Sequence, residues 1–163
     1  MLKVLMLLVI VAMTLLSDAR AADRGPLIDP GVLNEFFLSF HPDLDGRIRG
    51  MRAYTKGEYA KAFRLFQHAS RYGDKPSQGM VADMYWDGLG VARDRALGYA
   101  WMDLAAERGY PQFVVFRDRY WAELDERARR DAVARGQAVY AEYRDSVAKP
   151  RLDRLLRRGR AQQ

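Results

Sequence analysis

The sequence contains no cysteine and only two histidines, and these absences exclude several kinds of chemistry. Without cysteine there is no disulfide, no thiolate nucleophile and no thiolate metal site, and two histidines cannot complete a structural zinc site. The chain also lacks any low-complexity tract. Its 163 residues, of which 49% are hydrophobic and 29% charged, are typical of one globular domain. We therefore expect neither a metal nor a cofactor.

Recognisable catalytic patterns are missing as well. No Gly-x-Ser-x-Gly motif and no histidine pair is present, so no nucleophile has an evident base. The glycine-rich loop at Gly88-Leu89-Gly90 would hold a phosphate only if it followed a strand and opened a helix, and the pattern before it is helical. These observations predict a protein that is not an enzyme and does not bind nucleotides.

The first 21 residues have the features of a secretory signal peptide. A short basic end is followed by a thirteen-residue apolar run from Val4 to Leu16 and by the small-residue pattern Ala19-Arg20-Ala21. As a helix that run would measure roughly 20 Å, against about 30 Å of bilayer hydrocarbon. We predict cleavage after Ala21 and a soluble product in a bacterial periplasm, with secretion into the medium as the alternative.

The basic charge of the chain is concentrated at its C-terminal end. Residues 149–163 contain six basic residues and one acidic residue, whereas residues 22–148 carry 19 of each sign. A nucleic-acid-binding domain normally has a basic face on its folded body. The neutral body and the predicted export therefore argue against a nucleic-acid partner.

The middle of the chain repeats with an offset of 36 residues. This offset superposes a bulky residue, a small residue four positions later and a glycine that would end a helix. The matched pairs are Leu65 with Trp101, Ala69 with Ala105, and Gly73 with Gly109.

A second match lies upstream of each of these segments. Tyr54 and Gly57 correspond to Tyr85 and Gly88 with an offset of 31, because the second unit has a longer loop. Each unit therefore reads as a helix, a glycine turn, a second helix and a glycine stop. Two such helices cannot cover their own apolar face, so we expect the units at 45–75 and 76–109 to stack on each other.

The second unit resembles the Sel-one-like repeat, a relative of the tetratricopeptide repeat. The resemblance rests on Tyr85-x-x-Gly88-x-Gly90-Val91 followed by Asp94, Trp101, Ala105-Ala106 and Gly109, with Gly98 where the family usually has alanine. It implies an all-α, short right-handed α-solenoid of antiparallel helix pairs. Members of the family mostly serve as adaptors, so the resemblance implies protein binding and no catalytic residues. The residues assigned to the structural repeat motif are Tyr54, Gly57, Ala69, Gly73, Tyr85, Gly88, Gly90, Trp101, Ala105 and Gly109.

The segments that flank the repeats are predicted as follows. Residues 22–44 contain three prolines and are expected to form an extended lead-in. After Gly109 the helical spacing of apolar residues continues, which predicts closing helices. The first of them completes the segment 45–124 that also holds the two repeats. The second spans 125–148 and is capped by Asp125. Pro150 is expected to separate this helix from a basic tail at 149–163.

Helical phase also suggests a binding groove. Because Tyr85 occupies the inward repeat position, Trp86 should be rotated by about 100° toward the groove between the first helices of the units. Aromatic and arginine side chains are favoured anchors at binding surfaces. The groove hypothesis comprises Arg49, Arg52, Asp83, Trp86 and Asp87.

The basic tail has two interpretations. Its three leucines among five arginines could lie on an anionic membrane or hold an acidic partner. It could equally be a frayed end or the stub of a longer architecture.

The sequence thus predicts a periplasmic adaptor for an unidentified protein partner. One alternative is a cell-envelope effector or inhibitor that acts on a wall-modifying enzyme. Another is a small hydrolase in which Asp83 and Asp87 would serve as the acid and base.

Overall fold

A computed structural model describes residues 34–162, and throughout this range the chain is helical or in turns, without strands. The predicted signal peptide and residues 22–33 of the lead-in lie outside the described residues. The helices are α1 (Glu35–Phe40), α2 (Pro42–Thr55), α3 (Tyr59–Ser70), α4 (Lys75–Asp87), α5 (Arg95–Ala105), a 3-10 turn (Ala106–Arg108), α6 (Pro111–Glu123), α7 (Glu126–Tyr143) and α8 (Asp145–Arg160).

Aspartate side chains begin three of these helices. The carboxylates of Asp74, Asp94 and Asp125 accept the backbone N–H three residues later, at 3.0, 2.9 and 2.8 Å. Such N-caps supply an acceptor to a backbone donor that the helix itself leaves free. The predicted cap at Asp125 is therefore confirmed, and the other two caps fix the starts of α4 and α5.

Glycines terminate the helices as the repeat pattern predicts. Gly57, Gly73, Gly88, Gly90 and Gly109 all have positive φ angles, between 71° and 79°. Gly90 is constrained twice, because a Cβ atom there would also lie 2.3 Å from the carbonyl carbon of Tyr59. The loop after α4 therefore rests directly on the start of α3.

Small residues allow the helices of each pair to approach closely. A Cβ atom at Gly50 on α2 would lie 2.7 Å from the ring of Phe66 on α3. In the second pair, a Cβ atom at Gly98 would lie 3.1 Å from the carbonyl oxygen of Ala82. The departure from alanine at Gly98 thus coincides with a tight contact between α4 and α5.

The core lies between the stacked pairs. Phe66, Met84 and Leu104 are fully buried, and so are the small motif residues Ala69 and Ala105. α3 packs on α4, which joins the two units, and α6 and α7 both pack on α5. The predicted all-α solenoid of helix pairs, with closing helices over the last repeat, is confirmed.

The structure corrects the expected lead-in. Residues 35–44 are helical rather than extended, because α1 and the start of α2 occupy them. Pro42 is the first residue of α2, where a helix tolerates proline since that N–H would have no intrahelical partner. The ring of Phe37 stacks on His41 at 4.0 Å, which connects the two helices. The first repeat therefore begins at residue 42, not 45.

The C-terminal segment also differs from the expectation. The predicted closing helix over 125–148 is divided at Arg144, and α8 runs from Asp145 to Arg160 through Pro150. Pro150 therefore does not separate a tail from the domain. The packing of the buried residues Ala148 and Gly159, on either side of the proline, accounts for the continuation of the helix.

Candidate binding face

The first helices of the successive pairs are α2, α4 and α6. We call one side of this layer the first-helix face and define it by Met51, Tyr54, Met80, Asp83, Asp87, Phe116 and Arg119, together with the buried Tyr120 that bonds to Asp83. On α4, Met80, Asp83 and Asp87 follow the spacing of one helical side. The contacts described below connect this central row to the helices on both sides.

Asp83 lies at the centre of the first-helix face. Its Oδ1 atom accepts a hydrogen bond of 2.6 Å from the hydroxyl of Tyr120 on α6. Burial raises the pKa of Asp83, and the charge of Asp87 acts in the same direction, although the Tyr120 bond and Arg119 oppose the shift. Burial and the Asp83 carboxylate likewise raise the pKa of Tyr120, so that its phenol remains protonated and donates.

Tyr54 extends this row to α2. Burial raises the pKa of its phenol, and the neighbouring Tyr59, Asp83 and Asp87 raise it further. Its ring also meets Tyr59 edge to face, with the centroids 5.2 Å apart. The repeat-motif residue Tyr54 therefore lies within the field of both predicted groove carboxylates.

The helices on either side of α4 in the face carry exposed apolar side chains. Met51 is 42% exposed and Phe116 is 39% exposed, whereas Met80 is partly buried against the core. The guanidinium of Arg119 lies 4.9 Å from the ring centre of Phe116 and 5.5 Å from that of Tyr120. The face thus combines a central acidic pair with apolar borders, a composition suited to holding an amphipathic segment.

The expectation that Trp86 faces the groove is wrong. Its side chain is only 4% exposed and stacks on Tyr120, with ring centroids 3.7 Å apart. The guanidinium of Arg95 lies over the same indole ring at 4.7 Å. Trp86 does point in a different direction from Tyr85, as helical geometry requires. However, α6 covers the side of α4 from which Trp86 projects, so the indole is buried.

Arg49 and Arg52 are not part of the first-helix face. They line a separate pocket of about 140 Å³ with Lys56, Glu58 and Lys61, beside the turn between α2 and α3. Arg49 pairs with Asp45 on its own helix at 3.1 Å. At about 100° per residue, both arginines lie on the side of α2 opposite Tyr54. The structure brings together Asp83 and Asp87 but separates the predicted arginines from them.

A second tyrosine–aspartate hydrogen bond joins the other helix layer. The hydroxyl of Tyr140 on α7 donates to Asp103 on α5 at 3.1 Å. The residues are 37 positions apart, as are Asp83 and Tyr120. The same type of bond therefore links successive units in both layers.

A buried lysine lies beneath α8. The ammonium of Lys75 is fully buried and lies 2.7 Å from Glu107 and 3.3 Å from Asp145. It also donates to Gln78 and to the carbonyl oxygen of Leu104, each at 3.0 Å. This cluster joins α4, the end of α5 and the start of α8. Its partners satisfy the charge, so it is structural.

Asp145 is the acidic centre of the same cluster. Although burial disfavours the charged carboxylate, hydrogen bonds from Arg108 and Lys149 and the charge of Lys75 lower its pKa. Arg108 makes two bonds to it, at 2.7 and 2.9 Å. These contacts hold the first turn of α8 on the loops that end α3 and α5.

A cavity of about 610 Å³ adjoins this cluster, between α8 and the N-terminal ends of α2, α4 and α6. Arg47 and Asp74 of its lining pair with each other at 3.0 Å, and Lys75, Arg108 and Lys149 pair with Asp145 of the adjoining cluster. Among residues 34–162, no group of three or more acidic or histidine side chains is arranged to hold a metal ion. In the same range, no helix is long and apolar enough to cross a membrane.

Sequence reasoning found the acidic pair but missed its partners on α6. Phe116 and Tyr120 belong to the helical spacing of apolar residues after Gly109, which indicates packing but not which helix is contacted. Tyr120 follows Asp83 by 37 residues, close to the 36-residue offset of the repeat. This similarity was the available signal that the two residues occupy equivalent positions in successive units. Nothing in the sequence distinguishes Lys75 from an exposed lysine.

Comparison with known proteins identifies the fold. No protein-family model matches the sequence, and no curated protein sequence matches it. A solved structure does match with a TM-score of 0.59: the protein c5321 of uropathogenic Escherichia coli, described as a protective antigen displaying an SLR (Sel1-like repeat) fold. The two chains are 22% identical over the match, which covers 73% of this chain and 26% of that one. The chain thus spans about a quarter of the length of that protein, and its fold is that of the Sel-one-like repeat solenoids.

Proposed function

We propose that this protein is an exported interaction adaptor that binds a segment of a partner protein on the first-helix face. The observation that carries the proposal is the position of Asp83, a half-buried carboxylate bonded to Tyr120 of the neighbouring helix, with Asp87 exposed four residues later on the same side of α4. Helical-repeat proteins with this fold generally serve as scaffolds rather than as enzymes. Export to the periplasm is part of the proposal and rests on the sequence of residues 1–21.

The chemistry of the face defines the kind of segment that would bind. One oxygen of Asp83 accepts the hydroxyl of Tyr120, and the carboxylate retains further acceptor capacity. A cationic side chain or N–H group of the partner would donate a hydrogen bond to the remaining acceptor positions of Asp83. A cationic side chain would also compensate the negative charge of Asp87. Met51 and Phe116 would contact apolar side chains on either side. The proposed partner therefore presents a basic or amide donor flanked by apolar residues.

Substitution of exposed residues tests this proposal without disturbing the core. The test variant combines Phe116→Ala with Asp87→Asn, and the control combines Val133→Ala with Glu126→Gln on α7, whose side chains are also exposed. Each double variant truncates one apolar side chain and removes one negative charge. A partner would first be identified by cross-linking the native chain in periplasmic extract, and its affinity for all three forms would then be measured by calorimetry.

We expect the test variant to bind this partner at least tenfold more weakly, because interface anchors commonly contribute about 1–2 kcal/mol each. The control should bind like the native chain. Equal affinity of the test variant and the native chain would refute the assignment of the first-helix face. Recovery of the chain only from the cytosol would refute the exported location.

A further inference from the structure

Helix α8 has two chemically different sides. The buried residues Ala148 and Gly159 lie on its inner side, and Leu152 and Leu155 fall on the same helical stripe. Leu152 lines the cavity between α8 and the first helices. Leu152 and Leu155 are therefore turned toward the domain, so any membrane contact of α8 would involve its outer side rather than these leucines.

The outer side of α8 carries an excess of positive charge, with four exposed arginines against the single exposed carboxylate of Asp153. Its exposed arginines are Arg154, Arg157, Arg158 and Arg160. Within residues 34–162, none of these four guanidinium groups has an ion-pair partner, whereas Arg119 and Arg130 each have one and Arg135 has two. Residues 22–148 carry equal numbers of basic and acidic residues, so the net positive charge of the sequence after residue 21 comes from the segment that contains this row.

An exposed aromatic ring lies near the C-terminal end of α8. Phe40 packs on Gly159, where an added Cβ atom would lie 2.6 Å from the phenyl ring. Phe36 in turn packs on Phe40, with ring centroids 5.3 Å apart, and is 48% exposed. Phe36 therefore borders the same helix end that carries Arg157, Arg158 and Arg160, although it reaches α8 from the inner side of Gly159.

We propose that the outer side of α8, together with Phe36, docks the protein on a bilayer surface that bears anionic phospholipid headgroups. Guanidinium groups bind phosphate oxygens in a bidentate manner, and a basic row on an outer helix suits a surface that offers many such groups. The ring of Phe36 can enter the boundary between headgroups and acyl chains. A soluble acidic polypeptide would also attract the arginines, but it would provide no apolar environment for Phe36.

This docking is independent of the first-helix face because it uses different residues. They are cations and one phenyl ring rather than carboxylates. It would place an adaptor next to partners at the membrane without anchoring it permanently. Electrostatic binding of this kind weakens as salt screens the charges.

Co-sedimentation with vesicles tests the proposal. The native chain, prepared with the same N-terminus as every variant, is mixed with vesicles of phosphatidylglycerol and phosphatidylcholine or of phosphatidylcholine alone. The test variant is Arg154→Gln, Arg157→Gln and Arg158→Gln. The matched control replaces Arg52, Arg64 and Arg127 by glutamine, since these exposed arginines also lack ion-pair partners among the described residues and their loss removes the same charge.

We expect salt-sensitive binding of the native chain to the anionic vesicles and weaker binding to the neutral ones. Each arginine near an anionic surface contributes roughly a fivefold factor, so the test variant should bind about a hundredfold more weakly. The control should lose far less. Phe36→Ala should reduce binding about tenfold, and replacement of the three α8 arginines by lysine should retain most of it.

Three outcomes would overturn the proposal. The first is failure of the native chain to bind the anionic vesicles at low salt. The second is an equal loss in the test and control variants, which would indicate a response to net charge alone. The third is α8-dependent capture of soluble polyglutamate without vesicle binding, which would identify an acidic protein segment as the ligand. Circular dichroism checks that all variants remain helical.

Discussion

Replacement of Lys75 by methionine should destabilise the protein measurably, because a buried ammonium with several partners is lost. Lys75 is fully buried, and its four contacts reach Gln78, Leu104, Glu107 and Asp145 at distances of 2.7 to 3.3 Å. Methionine fills a similar volume and keeps the apolar stem in place. The substitution therefore isolates the contribution of the charge and its bonds.

The surrounding groups determine the size of the effect. The carbonyl of Leu104 and the amide oxygen of Gln78 each lose a donor, at about 1–2 kcal/mol per buried group. Glu107 still accepts the backbone N–H of Asp145 at 3.0 Å, and Asp145 keeps Arg108 and Lys149. The loss should therefore lie below the roughly 3–5 kcal/mol typical of an isolated broken buried pair. We expect about 2–3 kcal/mol, or a decrease in Tm of roughly 10 °C.

Urea unfolding followed by circular dichroism gives the free energy directly, and differential scanning calorimetry gives Tm. A double-mutant cycle with Glu107→Gln then measures the coupling of the Lys75–Glu107 pair. If Lys75→Met were as stable as the native chain, the bonds of the ammonium would only balance its desolvation, and the cluster would not hold α8 in place.

Four further substitutions test the geometry. Gly90→Ala should destabilise the fold by several kcal/mol, because its Cβ would meet backbone at the start of α3. Gly57→Ala has open space around it and should show only the roughly 1–2 kcal/mol cost of a positive φ. Thermal melts measure both. Tyr120→Phe should lower stability by about 1–2 kcal/mol at neutral pH. Since the raised pKa of Asp83 means that the folded state holds its proton more tightly, part of that loss should be regained in melts as pH falls toward about 4. Because the pKa of Asp145 is lowered in the folded state, its ionised carboxylate stabilises the fold above about pH 4, and this stabilisation is lost as pH falls further. Asp145→Asn should therefore reduce the decrease of Tm in acid. An unchanged decrease would contradict this assignment.

The repeat architecture could be predicted because its signals are local. Glycines at helix ends require a backbone conformation that few other residues adopt, and their spacing therefore records the lengths of the helices. The positive φ angles at Gly73 and Gly109 match the positions that the 36-residue offset assigned as stops. The aspartate cap of α7 was likewise a local signal.

The details of the site depended on contacts between distant segments. Trp86 looked available for binding because the helix alone determines its direction, whereas its burial depends on Tyr120 of a later helix. In the same way, Pro150 normally ends a helix, but the packing of α8 on the domain overrides this local preference. The position of Asp83 and Asp87 on one side of α4 follows from their four-residue spacing, whereas their role in binding stays a prediction.

The paired tyrosine–aspartate hydrogen bonds have a mechanical consequence. One bond ties α4 to α6 and the other ties α5 to α7, so a hinge motion that opened the units on either side would have to stretch one of them. The curvature of the stack is thereby restricted to a narrow range. A rigid binding surface loses little conformational entropy when a partner binds. The affinity for the proposed partner segment would therefore be limited mainly by the entropy that the segment itself loses on binding.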